Sequence, residues 1–213
     1  MVKVEQALRE ARLEVEDLLP YADFDHPVED GYGRKMVVDH EHYEIMVMTW
    51  NPGDFSAVHD HGYTAWGAVQ VFGHVMHHTF SMAGDLFRLT KKEILPEGAI
   101  VKVNNALIHQ MGNVTSAPYL TVHVYGNNER QGNITADARI FELEAGLIKH
   151  TTGGVFFNLP DRAVYDIEKM PEIEHQTMVH QLSILMQYYQ RYDILKAEEL
   201  TRSVLDRFSF YQH

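Results

Sequence analysis

Ten short runs rich in β-branched and aromatic residues follow one another between residues 34 and 144: RKMVVD, YEIMVMTW, AVHDH, WGAVQVFG, HVMHHTF, LFRLTKKEIL, AIVKV, LIHQMGN, YLTVHVYG and RIFELE. Turn pairs such as Pro-Gly, Gly-Asp, Glu-Gly and Gly-Asn separate them. Runs this short, with no helix-length segment between them, specify an all-β sandwich or barrel. They exclude a doubly wound parallel sheet, which needs a helix after almost every strand.

Helices are expected only outside this core. Over residues 3–19, Val4, Leu8, Ala11, Val15 and Leu18 recur at helical spacing until Pro20 ends the run. After Pro171, one stretch carries Met178, Leu182, Ile184, Leu185 and Tyr188, and a second carries Leu195, Leu200, Val204, Leu205 and Phe208. These predict a helical hairpin packed on the barrel or on a second subunit, so the hairpin is compatible with a homodimer. Residues 126–137 read as a polar loop, and GGVFFNLP at 153–160 as a last strand or an edge piece. The expected division is an N-terminal helical segment over 1–30, a barrel over 31–160 and a C-terminal helical extension over 161–213.

The formal net charge of −12 argues against nucleic acid and anionic membranes as partners. It leaves room for a small anion, which one guanidinium can hold. The chain has no cysteine, so disulfides, thiolate metal ligands and a cysteine nucleophile are excluded. The amino terminus has no apolar core of signal-peptide or membrane-span length, so a cytoplasmic location is expected.

His59-Asp60-His61 places two imidazoles on one side of a strand. His109, beyond several strands, can supply a third. Three neutral nitrogen ligands with open positions suit a divalent transition metal that must also hold substrate. An isolated His-x-His is more often a hydrogen-bonded surface pair than a metal site, and the surroundings raise the metal reading. Gly53 precedes His59 and Gly73 follows His61, while Pro96-Glu97-Gly98 precedes His109 and Asn113 follows it. This arrangement resembles the two motifs of the cupin superfamily, with a longer gap than usual between Gly98 and His109. The motif's glutamate should stand at 65 or 66, where this chain has Ala65 and Trp66. A three-histidine site remains.

Thr121, His123 and Tyr125 alternate with Leu120, Val122 and Val124, so three polar side chains share one strand face. Alone, this is a strand with one wet face. Beside His109, the Thr121 hydroxyl can orient His123, and His123 the Tyr125 phenol. With these residues the sequence resembles the cysteine dioxygenase family, the cupin thiol dioxygenases, over about residues 30–160. The resemblance implies Fe(II) held by His59, His61 and His109, and a Ser-His-Tyr trio in which Thr121 replaces the serine. It also implies a substrate carboxylate bound by Arg34 in Tyr32-Gly33-Arg34, with Trp50 and Ser56 at family positions. The animal enzymes join a cysteine to the tyrosine through a thioether. This chain cannot, and Trp66-Gly67 looks like the bacterial version of that point.

The implied activity is oxidation of a small thiol by dioxygen to its sulfinate, with L-cysteine favoured because Arg34 stands where a 3-mercaptopropionate-preferring branch has glutamine. A 3-mercaptopropionate dioxygenase and a non-oxidative cupin, either an isomerase or hydrolase or a sensor, are the alternatives. Zinc or nickel could occupy the same nitrogens in a recombinant preparation. The remaining histidines are expected to be peripheral: His40 and His42 in a hairpin turn, and most of His74, His77 and His78 at the surface.

Overall fold

A computed structural model describes residues 4–129 and 133–209, the last three as backbone only. The expected polar loop at 126–137 therefore falls partly, at 130–132, outside the described residues.

The described residues contain twelve strands. They are β1 (Gly33–His40), β2 (Tyr43–Trp50), β3 (Trp66–Phe72), β4 (Val75–Ala83), β5 (Leu86–Leu95), β6 (Ile100–Val103), β7 (Ile108–Gly112), β8 (Tyr119–Gly126), β9 (Ala138–Glu142), β10 (Leu147–Thr151), β11 (Val164–Lys169) and β12 (Glu172–Ile173). One sheet has the order β1-β2-β8-β3-β6. The others run β12-β5-β4-β7 and β11-β10-β9. Isolated bridges from Phe55 to Gly112, and from His59 to both His109 and Ile140, lay residues 55–59 between the last two sheets. That extended segment joins them into one curled layer facing the five-stranded sheet.

The strand period sorts the side chains of β8. Thr121, His123 and Tyr125 face the interior between the layers, beside Met46 and Met48 of β2. Leu120 and Val122 face outward and are buried with Val47 and Ala68 beneath the N-terminal helices. Helices α1 (Val4–Ala11) and α2 (Val15–Leu18) cover this face through Leu8 and Leu18. The single helix expected over 3–19 is thus two, broken at Arg12, whose φ of 49° is left-handed; Lys3 lies outside the described residues. The apolar spacing continues through the break because both pieces pack on the same sheet.

Helices α3 (His175–Tyr189) and α4 (Ile194–Ser209) form the expected hairpin. Met178, Leu182, Leu185 and Leu200 bury against Phe80, Phe87, Ile108, Phe141 and Ile148. The molecule is a curled two-layer sheet with helices at both ends, a mixed helix-and-sheet architecture and not a strictly all-β one. Two further expectations are corrected. Residues 153–160 form no strand: the segment is irregular and turns at Gly153, whose φ is 112°. Strands β11 and β12 precede the hairpin, where only helix was expected.

Candidate metal centre

The backbone sets two of the three histidines face to face. His59 N–H donates to the His109 carbonyl and His109 N–H to the His59 carbonyl, both at 2.9 Å. The expected strand at AVHDH is reduced to these bridges, and they suffice to aim both rings inward. Asp60 anchors the segment from its other side. Its carboxylate accepts from the Arg139 N–H at 2.8 Å and from Arg139 Nε at 2.6 Å, tying the segment to β9. Gly62 then turns the chain at a φ of 53°, where a Cβ would strike the Ala136 carbonyl.

The rings of His59, His61 and His109 lie with centroids 4.6–5.2 Å apart. One nitrogen from each lies within 4.8 Å of the other two, and all three residues are buried. Burial lowers the His59 pKa to about 4, and Arg34 and His77 add to the effect. Burial, reinforced by the neighbouring imidazoles, holds His61 and His109 well below the ordinary histidine value. Three neutral imidazoles are the protonation state a metal requires.

The donor set fits such an ion. His59 Nδ1 lies 2.9 Å from the Ala57 carbonyl. A carbonyl only accepts, so Nδ1 carries the proton and Nε2 keeps its lone pair for the site. His61 has no hydrogen-bond partner at either ring nitrogen; the carbonyls of Leu107 and Asn104 influence its pKa but lie outside hydrogen-bonding geometry. A buried imidazole with neither nitrogen satisfied is costly, and a metal satisfies it. A second group, His150, Asp166 and Glu168, differs: it is largely exposed, and His150 already bonds Asp137 and Glu168 at 2.9 and 3.2 Å.

The polar residues of β8 form a chain. Trp50 Nε1 donates to Thr121 Oγ1 at 3.0 Å. Thr121 Oγ1 lies 2.7 Å from His123 Nε2, and His123 Nδ1 lies 2.6 Å from the Tyr125 hydroxyl. Burial lowers the His123 pKa to about 3 and raises that of Tyr125. Tyr125 reaches the pocket and its ring centroid is 5.4 Å from that of His61, whereas Thr121 stands behind. Gly67 lies against the Tyr125 ring, where a Cβ would come within 3.1 Å of it.

Arg34 enters the same pocket from β1. Its Nη1 donates to the Gly153 carbonyl at 2.9 Å, Nε to Met46 Sδ at 2.9 Å, and Nη2 reaches Thr135 Oγ1 at 3.5 Å. Gly153 permits this approach, since a Cβ there would press on Thr135 Oγ1. Glu44 completes the frame by accepting from the Ile134 N–H and the Thr135 hydroxyl. Tyr32 stacks between Trp50 and Phe156 at centroid distances of 5.0 and 4.7 Å. Its buried hydroxyl has no partner, and burial pushes its pKa up to about 12.

The pocket therefore brings together His59, His61, His109, His123, Tyr125, Arg34, Tyr32, Trp50 and Ser56. His40 ends β1 and His42 lies in the β1–β2 turn. His77 and His78 do not lie at the surface: they are 3% and 6% exposed. His77 Nε2 sits 3.0 Å from His109 Nδ1. The strand, β7 and the hairpin were all readable as elements; that α3 packs His180 on His78, and that His77 turns toward His109, was not. Asp60, Glu44, Thr135 and Gly153 were also missed, because each acts through a partner far away in the chain.

Solved structures with similar folds include a protein of Thermus thermophilus, 18% identical, covering 54% of this chain and 97% of that one with a TM-score of 0.42. A Klebsiella pneumoniae protein with a double-stranded β-helix domain is 17% identical, covering 56% and 91%, with a TM-score of 0.41. An RmlC-like cupin of Desulfovibrio desulfuricans is 20% identical, covering 54% and 97%, with a TM-score of 0.39. The sequence itself is more specific: residues 3–128, more than half of the 213, match the family described as cysteine dioxygenase type I, and the chain belongs to that family.

Proposed function

We propose that the protein is an iron-dependent thiol dioxygenase that oxidises a small carboxylate-bearing thiol, with L-cysteine the favoured substrate and 3-mercaptopropionate the next. One observation carries this beyond family membership: a guanidinium and three buried imidazoles converge on one pocket. His59, His61 and His109 would hold the iron. The bound ion supplies the redox and Lewis-acid chemistry that joins the thiolate sulfur to dioxygen. The reaction balances without a reductant, since RSH and O2 give RSO2H and both oxygen atoms end on sulfur.

The protein side chains bind and orient. Arg34 is anchored by Gly153 and Met46, so its remaining N–H groups meet a carboxylate as a planar fork. The unpartnered Tyr32 hydroxyl stands beside it for a polar group of the same substrate. Three ligands without a carboxylate leave the ion its full charge, which favours an anionic sulfur. The Trp50, Tyr32 and Phe156 rings keep bulk water from the site. Tyr125, oriented by His123, presents its hydroxyl to the sulfur or to the incoming oxygen.

The test is oxygen consumption by the iron-loaded protein across cysteine, 3-mercaptopropionate and cysteamine, which lacks the carboxylate. Cysteine is expected to be oxidised fastest, with one sulfinate formed per O2. Arg34→Ala should raise KM for cysteine about tenfold or more, in line with the loss of a charge-assisted pair, and erase its advantage over cysteamine. No thiol-dependent oxygen uptake would leave a non-oxidative metal cupin as the reading.

A further inference from the structure

His77 has no place in the proposed chemistry, yet it is buried against a candidate ligand. It sits on β4, and the register pairs its neighbour Thr79 with His109 across β7. Its Nε2 is 3.0 Å from His109 Nδ1, and its Nδ1 is 3.0 Å from Glu93 Oε1 on β5. Glu93 Oε2 in turn accepts from Lys91 Nζ at 2.7 Å. The line runs from a largely exposed ammonium, through a carboxylate 27% exposed, to a ring that is buried.

Donor and acceptor rules fix every proton along it. Burial would raise the Glu93 pKa, but its bonds to Lys91 and His77 outweigh burial and hold it below the ordinary value. An ionised carboxylate only accepts, so His77 carries its proton on Nδ1. His77 Nδ1 is committed to Glu93 and His109 Nδ1 to His77, so Nε2 is the nitrogen His109 has left to offer a metal. With its Nδ1–H donated to the carboxylate, His77 meets His109 through an accepting Nε2. His109 must then carry its proton on Nδ1, and its Nε2 is left bare toward His59 and His61. His59 reaches the same tautomer through the Ala57 carbonyl. His61 has no such partner, so the centre depends on two oriented rings.

We propose that His77, itself held by Glu93, is a positioning residue that locks His109 in its metal-binding tautomer and so sets the metal affinity of the centre. This rests on reading His59, His61 and His109 as the metal site. Lys91 and Glu93 lie at the solvent edge of β5 and extend the control to a surface ion pair. A purely structural His77 would affect melting alone.

Two readouts test it on the full-length protein. Long-range 1H–15N correlation spectra of the metal-free, histidine-labelled protein report which nitrogen carries each proton. Titration with Co(II) against a chelator gives the dissociation constant. In wild type, His77 and His109 should both show the Nδ1–H form. His77→Leu should leave His109 in mixed tautomers and weaken Co(II) binding roughly tenfold to a hundredfold. His77→Gln, which keeps an acceptor oxygen, should recover most of that loss. Glu93→Ala, at a part-exposed strand position, leaves the buried rings in place and should weaken Co(II) binding several-fold. An Nε2–H His109 in wild type, or wild-type Co(II) affinity in both His77→Leu and Glu93→Ala, overturns the proposal. Failure of the metal reading itself would appear in the wild type, as no Co(II) binding at all.

Discussion

The indole nitrogen of Trp50 can only donate, and this decides the direction of the chain on β8. With Thr121 Oγ1 accepting from Trp50, the threonine O–H is free to donate to His123 Nε2. His123 Nδ1–H then donates to the Tyr125 oxygen, and the phenolic hydrogen is left for the pocket. The reverse order would leave the Thr121 hydrogen unpartnered at a residue with no exposed surface. Thr121→Val keeps the shape and removes the hydroxyl. It should cost about 1–3 kcal/mol by leaving the buried Trp50 N–H unpaired. It should also lower kcat roughly tenfold to a hundredfold, as loss of an oriented proton donor does. Thr121→Ser should retain both. Steady-state oxygen uptake and urea unfolding measure the two effects, and equal rates for the valine and serine variants would refute the direction. This trio was legible because strand alternation alone places 121, 123 and 125 together. The Arg34 frame was not, since Gly153 and Thr135 lie 119 and 101 residues away in sequence.

Among the elements, the C-terminal hairpin does more than cover the sheet. Asp54, fully buried in the segment that leads to His59, receives the Asn51 N–H at 2.6 Å and His26 Nε2 at 3.0 Å. Arg191, in the turn between α3 and α4, donates to the Gly53 carbonyl and brings Nη1 within 2.8 Å of Asp54 Oδ1. That second contact is an ion pair without a directed hydrogen bond. Tyr188 adds a bond from its hydroxyl to the Val28 carbonyl at 2.8 Å. The hairpin, the N-terminal loop and the ligand-bearing segment are thus clasped at one carboxylate. Arg191→Met should destabilise by roughly 3 kcal/mol, at the low end for a broken buried pair because the guanidinium is partly exposed. Adding Asp54→Asn should recover part of the loss, and a double-mutant cycle in urea would show it; strictly additive effects would mean no clasp. Strands β1 to β9 were legible from their apolar runs, whereas β10, over Leu147–Thr151, was not read. Strand β11 was not, because only its first residue, Val164, escapes full exposure and VYDIEK has no buried stripe to read. Strand β12 is two residues long and is recruited by parallel pairing with β5, which no local pattern announces.

At the scale of the whole molecule, the buried histidines make the fold acid-sensitive. Burial lowers the pKa of His59, His78 and His180 to about 4 and that of His123 to about 3. His61, His77 and His109 shift the same way. Between those values and the ordinary 6.5, the unfolded chain binds more protons than the folded one, so stability rises with pH across the window and falls on acidification. His26 and His150 act in the opposite sense. Burial would lower both, but carboxylate partners outweigh it, Asp54 for His26 and Asp137 with Glu168 for His150. Their stabilisation is complete below 6.5 and is lost as pH rises through their raised folded values. Burial also raises Asp30, Asp60 and Glu144, which favours the folded state toward the bottom of the window. Seven lowered rings against two raised ones leave the balance with acid destabilisation. The urea midpoint of the metal-free protein should therefore drop steadily from pH 7 to pH 5, and a flat or rising midpoint would contradict it. Co(II) should raise the midpoint by at least as much at pH 5 as at pH 7, because its three nitrogens are already neutral in the folded state across this window and protons compete for imidazoles only in the unfolded chain. A Co(II) effect that collapses between pH 7 and pH 5 would place the ion on imidazoles of ordinary basicity and not on these three buried ones.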